Sequence, residues 1–217
     1  MCCLVLFLLL TACGAAAQTV PLPAPETTGD MSVETAIQER ESVRRFTSEA
    51  LTSAEAGQLL WAASGATADG VTGPTRAAAS AGGLYPVESY LVAEHIRGLE
   101  PGVYRYLWRS HELEPVRSGR RLGELHEAAL RQDAVRRAPA AVVIAADYQV
   151  TARRYGERGT ERYVHMDAGH AAQNLHLQAR ALGLGSVPIG AFSDRQLRRA
   201  LGIDTTPLYI IPVGRPE

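Results

Sequence analysis

The stretch that most constrains the fold of this chain runs from Asp167 to Phe192 and reads DAGHAAQNLHLQARALGLGSVPIGAF. In its first part, small and apolar residues recur every three or four positions, which predicts a helix with one buried face. The positions on that face are Ala168, Ala171, Ala172, Leu175, Ala179 and Leu182. We expect the helix to end within 183–185, because glycine tolerates the left-handed backbone of a helix terminus. Side chains this small would let another helix or a flat ligand approach the backbone closely.

The second part of the same stretch, residues 186–192, reads SVPIGAF. It is not expected to form an ordinary central strand, because Pro188 has no N–H to donate to a neighbouring strand. Pro188 and Ile189 are followed by Gly190 and Ala191, which carry almost no side chain. Such a segment suits a backbone edge that lies against a planar group.

The N-terminal residues read MCCLVLFLLLTACG, a short apolar run followed by small residues. Residues 10–13, LTAC, fit the lipobox of bacterial lipoproteins and predict an exported, periplasmic or cell-envelope protein anchored by lipid on Cys13. Two alternatives are secretion with cleavage after Ala17 and an internal core segment. The expected organisation is a leader over 1–17, a flexible tether over 18–31 that is rich in Pro, Thr and Ala, and one folded domain over 32–217.

Composition narrows the classes of function that remain. The chain has 217 residues, a formal net charge of −1 and 46% hydrophobic residues, which predicts one globular domain with no bias toward nucleic acid or anionic membrane. The three cysteines, Cys2, Cys3 and Cys13, all lie in the leader, so the folded part has no disulfide and no thiol nucleophile. The six histidines show no metal-ligand spacing, and no metal is expected.

A basic run follows the first predicted helix. Arg40, Ser42 and Arg44 place two guanidinium groups and a hydroxyl within five residues. These groups could converge on one phosphate, because each guanidinium can donate two parallel hydrogen bonds. The alternative interpretation is a solvated basic turn.

Residues 80–86, SAGGLYP, form a second candidate binding segment. Ser80, Ala81 and Gly82 are consecutive small residues that would leave backbone N–H groups accessible. The alternative is a tight loop before the next strand. On the central helix, His170 and Asn174 could share a face toward a ligand or a dimer seam, or could be hydrogen-bonded interior groups.

The remaining chain predicts alternating helices and strands. Helices are expected over 32–39, from a capping box at Thr52 to Gly65, over 122–131 and after Ser193. Strands are expected over 89–93, 102–108, 113–116, 138–146 and 208–213. Residues 66–79 are expected to form a long loop, within which 69–75, DGVTGPT, vaguely resembles a site of covalent FMN attachment to threonine.

Five motifs together resemble the nitroreductase family of flavin enzymes, and more narrowly its SagB-type dehydrogenases. They are RESVR at 40–44, SAGGLYP at 80–86, YGERG at 155–159, the helix with LGLGSVPIGAF, and PLYIIPVG at 207–214. The resemblance covers roughly 32–216. It implies an α+β fold with a central mixed β-sheet flanked by helices, completed by homodimerisation, with FMN at the subunit interface.

The resemblance also implies roles for the segments singled out above. Arg40, Ser42 and Arg44 would hold the FMN phosphate and ribityl chain. Residues 188–191 would line one edge of the isoalloxazine ring, and residues 80–82 would form a second wall. The expected activity is an FMN-dependent oxidoreductase with a ping-pong cycle, in which hydride passes through flavin N5 to a small acceptor such as a quinone or nitro compound, with NAD(P)H as a possible electron donor.

Two further functions remain open at this point. Some SagB-type enzymes oxidise azolines in modified peptides, and a Lys-Tyr pair there is thought to handle the proton. This chain has Arg154 and Tyr155 at that place, the residues we assign to catalysis. Arginine does not give up its proton at ordinary pH, so Arg154 could fix an anion but not act as a base, whereas Tyr155 could donate. The last alternative is a non-catalytic envelope lipoprotein that retains the fold.

Overall fold

The computed structural model describes residues 18–70 and 73–217. Its helices are α1 Val33–Glu39, α2 Ser53–Ser64, α3 Leu122–Ala128, α4 Asp133–Arg137, α5 Tyr148–Tyr155, α6 Val164–Ala181 and α7 Asp194–Leu201. Its strands are β1 Val20–Pro21, β2 Leu51–Thr52, β3 Ala66–Gly70, β4 Gly73–Arg76, β5 Val87–Ala93, β6 Ile96–Arg97, β7 Gly102–Leu107, β8 Glu112–Ser118, β9 Ala140–Ala146, β10 Gly185–Ser186 and β11 Thr206–Gly214. The leader, with its predicted lipidation on Cys13, lies outside the described residues.

The central element is a seven-stranded sheet in the order β1-β8-β7-β5-β9-β11-β10. Strand β9 reads AAVVIAA and is buried along its whole length, as expected for a strand covered on both faces. The α+β prediction is confirmed, but the sheet differs from the mixed one that the resemblance implied, because every strand pairing within it is antiparallel. Within residues 18–70 and 73–217, parallel pairing is confined to the short β2–β6 ladder and to a bridge between Ser42 and Ser186.

Helices cover both faces of the sheet. On one face α2 and α6 share a hydrophobic cluster with the inward side chains of β5 and β9. On the other face α3, α4 and α7 pack against the opposite side chains of the same strands. The predicted buried face of α6 is confirmed, with Leu182 only partly buried. Among the helices that the structure describes, none has the length and apolar character needed to cross a membrane.

The segment expected as a flexible tether instead lies against the domain over part of its length. Residues 20 and 21 form β1 and pair with Leu113 and Glu112 of β8. Farther along, Glu26 and Gln58 exchange two hydrogen bonds of 2.9 Å. The physical reason is that β8 would otherwise be an open edge strand, which β1 covers while burying part of Val20.

The long loop expected over 66–79 was also wrong in part, because it contains the hairpin β3–β4. The Thr75 hydroxyl donates to the Ala68 carbonyl at 2.9 Å and lies 3.1 Å from the Thr67 hydroxyl. These cross-strand threonine contacts, which stabilise a hairpin, are not visible as an alternation of apolar residues. Residues 71 and 72 of the motif that resembles a covalent attachment site lie outside the described residues.

The helix expected over 122–131 ends early, at Ala128. Leu130 and Arg131 adopt the left-handed backbone, with φ of 55° and 59°, which a continuing helix cannot contain. The other predicted helices and strands are confirmed with small shifts at their ends. The capping box of α2 is formed by Thr52 and Glu55, each side chain accepting from the other residue's backbone N–H.

Candidate functional site

The basic run at 40–44 begins where α1 ends, and Arg40 reaches across to the central helix α6. Nη1 of Arg40 lies 3.1 Å from Nε2 of His176. A guanidinium can only donate, so Nε2 accepts and the imidazole carries its proton on Nδ1, which donates to the Ser186 hydroxyl. His176 is therefore a neutral histidine that links Arg40 to Ser186. Sequence reasoning assigned His176 no role, and its only signal was a histidine on the small-residue helix.

His176 is 4% exposed, and its environment favours the neutral form. Burial lowers the pKa of His176 below its ordinary value, and the positive charge of Arg40 lowers it further. Protonation would put two like charges at hydrogen-bond distance. The position of the Arg40 guanidinium thus depends on the charge of this imidazole.

The basic run is also fixed to β10 through its backbone. Val43 N–H donates to the Ser186 carbonyl at 3.0 Å, and Ser42 forms a parallel bridge with Ser186. A Cβ added at Gly185 would lie 2.6 Å from both Cβ and Cγ1 of Val43, so only glycine allows this approach. The structure therefore brings the basic run next to Ser186, two residues before the segment 188–191 that is predicted to line the ring, which we call the ring-edge segment.

The arginines of this region differ in whether a carboxylate neutralises them. Among the described residues, no carboxylate lies within 4 Å of the guanidinium of Arg40 or Arg44, and Arg44 donates only to the Ser42 carbonyl at 3.3 Å. By contrast Arg215, the basic residue after β11, lies 3.0 Å from a Glu49 carboxylate oxygen and 2.7 Å from one of Glu55. Those two carboxylates raise the pKa of Arg215. The two arginines of the run thus keep their charge available for an anion.

The ring-edge segment is held by its centre and open at its end. Ile189 exchanges backbone hydrogen bonds of 2.8 and 2.9 Å with Ile210 of β11, and its side chain is buried. Pro188 is partly buried, whereas Gly190 and Ala191 are exposed. The N–H groups of Gly190 and Ala191 donate to no described residue, while the Ala191 carbonyl accepts from Gln132 at 3.0 Å. The ring-edge segment therefore offers two backbone N–H groups, those of Gly190 and Ala191, directly after the paired residue Ile189.

The 80–86 segment is held by a buried carboxylate on α6. The Ser80 hydroxyl donates to Asp167 at 2.6 Å, and Ala81 N–H donates to the other oxygen of the same carboxylate at 3.2 Å. Asp167 is 3% exposed. Gly82 and Gly83 take φ of 61° and 65°, a left-handed turn that favours glycine. Sequence reasoning did not assign Asp167 this role, although it opens the predicted helix.

His170 and Asn174 extend the same row along α6. His170 Nδ1 donates to the Ala79 carbonyl at 3.1 Å, and the Asn174 amide donates to the Ala77 carbonyl at 3.0 Å. Asp167, His170 and Asn174 follow the helical spacing of one face. This row binds the backbone of residues 77–81, which supports the interpretation of His170 and Asn174 as hydrogen-bonded structural groups.

The predicted catalytic pair lies over the 80–86 segment. The Tyr155 hydroxyl contacts the space where a Cβ of Gly82 would be, and the Arg154 guanidinium carbon lies 3.6 Å from that point. Arg154 lies 5.5 Å from the centre of the Tyr155 ring, and Tyr163 packs edge-on against that ring at 5.1 Å. The left-handed glycine turn therefore leaves room for a phenol and a guanidinium directly above its backbone.

The two clusters lie at different ends of α6. The first, which we call the phosphate cluster, comprises residues 40–44 with His176 and 186–191. The second, the loop cluster, comprises residues 80–82 with Asp167, Arg154 and Tyr155. His176 and Asp167 are nine positions apart, which is about 14 Å along a helix. The structure thus joins the predicted site residues into two groups, each anchored at its own position on α6.

Comparison with known proteins gives a consistent set of similarities. The nitroreductase family model matches residues 37–215. A Methanocaldococcus jannaschii protein named as a nitroreductase is 41% identical over 186 residues, which is 86% of this chain and 92% of that protein. A solved structure from Ralstonia eutropha, described as a nitroreductase, is 27% identical with a TM-score of 0.80 and covers 94% of this chain and 92% of its own. A solved structure from Anabaena variabilis is 30% identical with a TM-score of 0.79. The match covers 93% of this chain and 42% of the Anabaena chain.

Three more distant similarities carry chemical information in their names. The trifolitoxin-processing protein of Rhizobium leguminosarum bv. trifolii is 33% identical over 113 residues, which is half of this chain and 30% of that protein. A chain of the Escherichia coli microcin synthetase complex has a TM-score of 0.72 at 23% identity, covering 90% of this chain and 76% of its own. A Desulfovibrio desulfuricans structure in complex with FMN has a TM-score of 0.62 at 23% identity, covering 86% and 87%. The last two show similarity of fold alone.

Proposed function

Since this chain belongs to the nitroreductase family, we propose that it is an FMN-dependent oxidoreductase with a ping-pong cycle. The observation that carries the proposal is the phosphate cluster. It contains two arginines that have no carboxylate partner among the described residues and, in the segment that begins at Ser186, two backbone N–H groups without an acceptor. The arginines suit the phosphate of FMN, and the backbone N–H groups suit the polar edge of the flavin ring.

The residues present fit the phosphate end of FMN. Arg40 and Arg44 would donate to phosphate oxygens, and the exposed Ser42 hydroxyl lies between them in the chain. His176 keeps the Arg40 guanidinium in place by accepting one of its five N–H groups, which leaves the others for a ligand. The complex of a family structure with FMN supports this assignment of the ligand.

The segment 188–191 fits the ring. A Cβ added at Gly190 would have no other part of the chain within 4 Å, so the space beside its backbone is open. The free N–H groups of Gly190 and Ala191 would donate to acceptor atoms of the flavin, and Pro188 would lie against its edge. Bound FMN supplies two-electron chemistry, in which hydride enters and leaves at N5 of the ring.

We propose a homodimer, because the two clusters are anchored at different positions on α6. The loop cluster lies about 14 Å along α6 from His176, so the loop of a second copy would close the phosphate cluster of the first. The exposed side chains of Val33 and Ile37 on α1, 66% and 58% accessible, offer apolar surface close to the basic run. A small acceptor such as a quinone or nitro compound would then enter between the subunits.

Arg154 and Tyr155 are the residues we assign to the reacting molecules. Arg154 stays protonated and would fix a negative group of the substrate or the charge that develops on it. Tyr155 would donate a proton or a hydrogen bond to the reduced acceptor. In the proposed cycle a reductant, with NAD(P)H as the first candidate, delivers its electrons and leaves, and the acceptor then binds at the same place.

A second candidate is the oxidation of azolines in a modified peptide. It is favoured by the similarity to the trifolitoxin-processing protein and by the position of Arg154 and Tyr155 over the glycine turn. It requires another proton acceptor than Arg154, because arginine cannot serve as a base at ordinary pH. Turnover of a thiazoline peptide, compared with NAD(P)H-driven reduction of quinones and nitroaromatics, separates the two activities.

The test of the proposed function is the colour of the purified protein. We expect the visible absorbance of oxidised flavin, and we expect heat denaturation to release FMN rather than riboflavin or FAD. A colourless protein that binds no added FMN would overturn the proposal. A yellow protein that neither oxidises nor reduces any of these compounds would instead favour the non-catalytic lipoprotein that retains the fold.

A further inference from the structure

Arg76 belongs to neither cluster. It is partly buried and lies against two aromatic rings. Its guanidinium carbon is 4.2 Å from the centre of the Trp108 ring and 5.2 Å from that of Tyr85. Its Nη1 donates to the Val87 carbonyl at 2.8 Å. The contacts hold Arg76 at the C-terminal end of β4, facing the strands β5 and β7.

The positive charge of Arg76 has no direct ion-pair partner among the described residues. Among the described residues, no carboxylate lies within 4 Å of its guanidinium, and its buried Nε has no hydrogen-bond partner. Burial lowers the pKa of Arg76 to about 10, which reflects the cost of keeping this charge away from water. An anionic ligand would offset that cost.

Arg76 lines a cavity of about 180 Å³ at this end of the sheet. The apolar part of the wall comes from Val87, Leu107 and the rings of Tyr106 and Trp108. The polar part comes from Ser64 and Ser89, whose hydroxyls are 2.8 Å apart, and from Arg105 and Glu88. This volume is many times the roughly 10–15 Å³ that one water needs by the same measure, so the cavity has room for one small ring.

The other charges on the wall indicate how much negative charge the cavity can accept. Arg105 is already paired with Glu114 at 2.8 Å. Glu88 accepts a hydrogen bond from the Tyr90 hydroxyl and places a carboxylate at the wall. Glu88 would repel any anionic ligand, and a second negative charge on the ligand would double that repulsion, so the wall favours a ligand with one carboxylate that pairs with Arg76.

We propose that this cavity is a binding site for a small planar monocarboxylate, with Arg76 holding the carboxylate and Trp108 contacting the ring. None of the residues that line this cavity belongs to the phosphate cluster or the loop cluster. Arg76 also lines a smaller adjoining cavity with Ser80 and Asp167 of the loop cluster, so the site is separate from the proposed flavin site but next to it. Tyr85, which packs against Arg76, is part of the 80–86 segment, so a ligand here would lie behind one wall of the proposed active site.

The test uses fluorine NMR of the full-length protein labelled with 5-fluorotryptophan. The chain has two tryptophans, Trp61 and Trp108, and Trp61→Phe assigns their resonances. We expect benzoate to shift the Trp108 resonance saturably, and the neutral analogue benzamide to shift it at least about tenfold less effectively, because it lacks the charge that pairs with arginine. An unmoved Trp108 resonance, or equal responses to both compounds, would overturn the proposal without any variant.

Substitutions sharpen the same experiment. Arg76→Gln should weaken the benzoate response by about tenfold or more, and Arg76→Lys should keep part of it. Arg109→Gln is the matched control, because Arg109 stacks on the same indole at 4.1 Å but does not line the cavity. Arg40→Ala with Arg44→Ala should leave the response unchanged even if the flavin is lost. A benzoate response that survives Arg76→Gln would contradict the assignment.

Discussion

The guanidinium of Arg40 donates to Nε2 of His176 across 3.1 Å, and this one hydrogen bond fixes the charge, the tautomer and the partner of a buried histidine. It also connects the basic run directly to the central helix, in addition to the indirect link through the Ser186 hydroxyl. The geometry of the proposed phosphate site therefore depends on a residue that would not itself touch the ligand.

The first prediction concerns pH. The pKa of His176 is lowered from 6.5 in the folded protein, so its contribution to stability is complete above pH 6.5 and is lost as the pH falls from 6.5 toward the lowered value. We expect the affinity for FMN to weaken over the same window, because protonated His176 repels Arg40. Fluorescence titration of deflavinated protein with FMN at several pH values measures this.

The control for that titration is His176→Gln, which can still accept from Arg40 but does not titrate. The FMN phosphate itself gains a proton near pH 6, so some weakening should remain in the variant. An identical pH dependence in wild type and variant would show that His176 does not control the position of Arg40.

The second prediction concerns the basic run. Arg40→Ala or Arg44→Ala should each remove hydrogen bonds to a charged group, worth about 1.5–3 kcal/mol, and so weaken FMN binding by about 10- to 100-fold. Arg45→Ala is the matched control, because Arg45 is exposed and forms only a long surface ion pair with Glu217 at 3.7 Å. Full retention of bound flavin in the double variant R40A/R44A would rule out this phosphate site.

The third prediction concerns the approach of two backbones. Gly185→Ala would place a methyl group 2.6 Å from Val43, so the basic run must move away from β10. We expect a loss of about 1–3 kcal/mol in the free energy of unfolding, as for other overpacked sites, together with weaker FMN binding. Gly169→Ala on α6 meets nothing within 4 Å and should be neutral or stabilising in the same urea titration.

The fourth prediction concerns the catalytic pair. Tyr155→Phe keeps the ring that packs on Tyr163 but removes the hydroxyl over Gly82. We expect turnover to fall by about 100-fold, the lower end of what a positioned acid supplies, while FMN affinity and melting temperature stay close to wild type. An unchanged kcat would remove Tyr155 from the mechanism. Arg154→Lys would in addition reveal whether a titratable base at this position increases azoline oxidation.

The fifth prediction concerns the leader. If the lipobox interpretation is right, cells fed labelled palmitate should label the full-length protein, and Cys13→Ser should abolish the label. Cys2→Ser and Cys3→Ser serve as matched controls, since neither lies at the predicted cleavage site. A label that persists in the Cys13 variant would contradict lipidation at this residue.

Much of the local structure could be predicted because it depends on neighbouring residues. The buried face of α6, the capping box at Thr52 and the apolar strand β9 follow from spacing and from nearby side-chain hydrogen bonds. Where a pairing of strands leaves no alternation of apolar residues in the sequence, prediction was less successful. The pairing of residues 20–21 with β8 and the threonine contacts of the β3–β4 hairpin carry no periodic signal.

The sequence by itself determined which segments were candidates for flavin binding, because their motifs resemble those of the nitroreductase family in order along the chain. Only the tertiary structure decided which of them meet. It placed residues 40–44 against Ser186 and His176, and it placed residues 80–82 against Asp167 and Tyr155. The physical reason is that propensity acts over a few residues, whereas these contacts depend on how α6 packs on the sheet and so on the whole core.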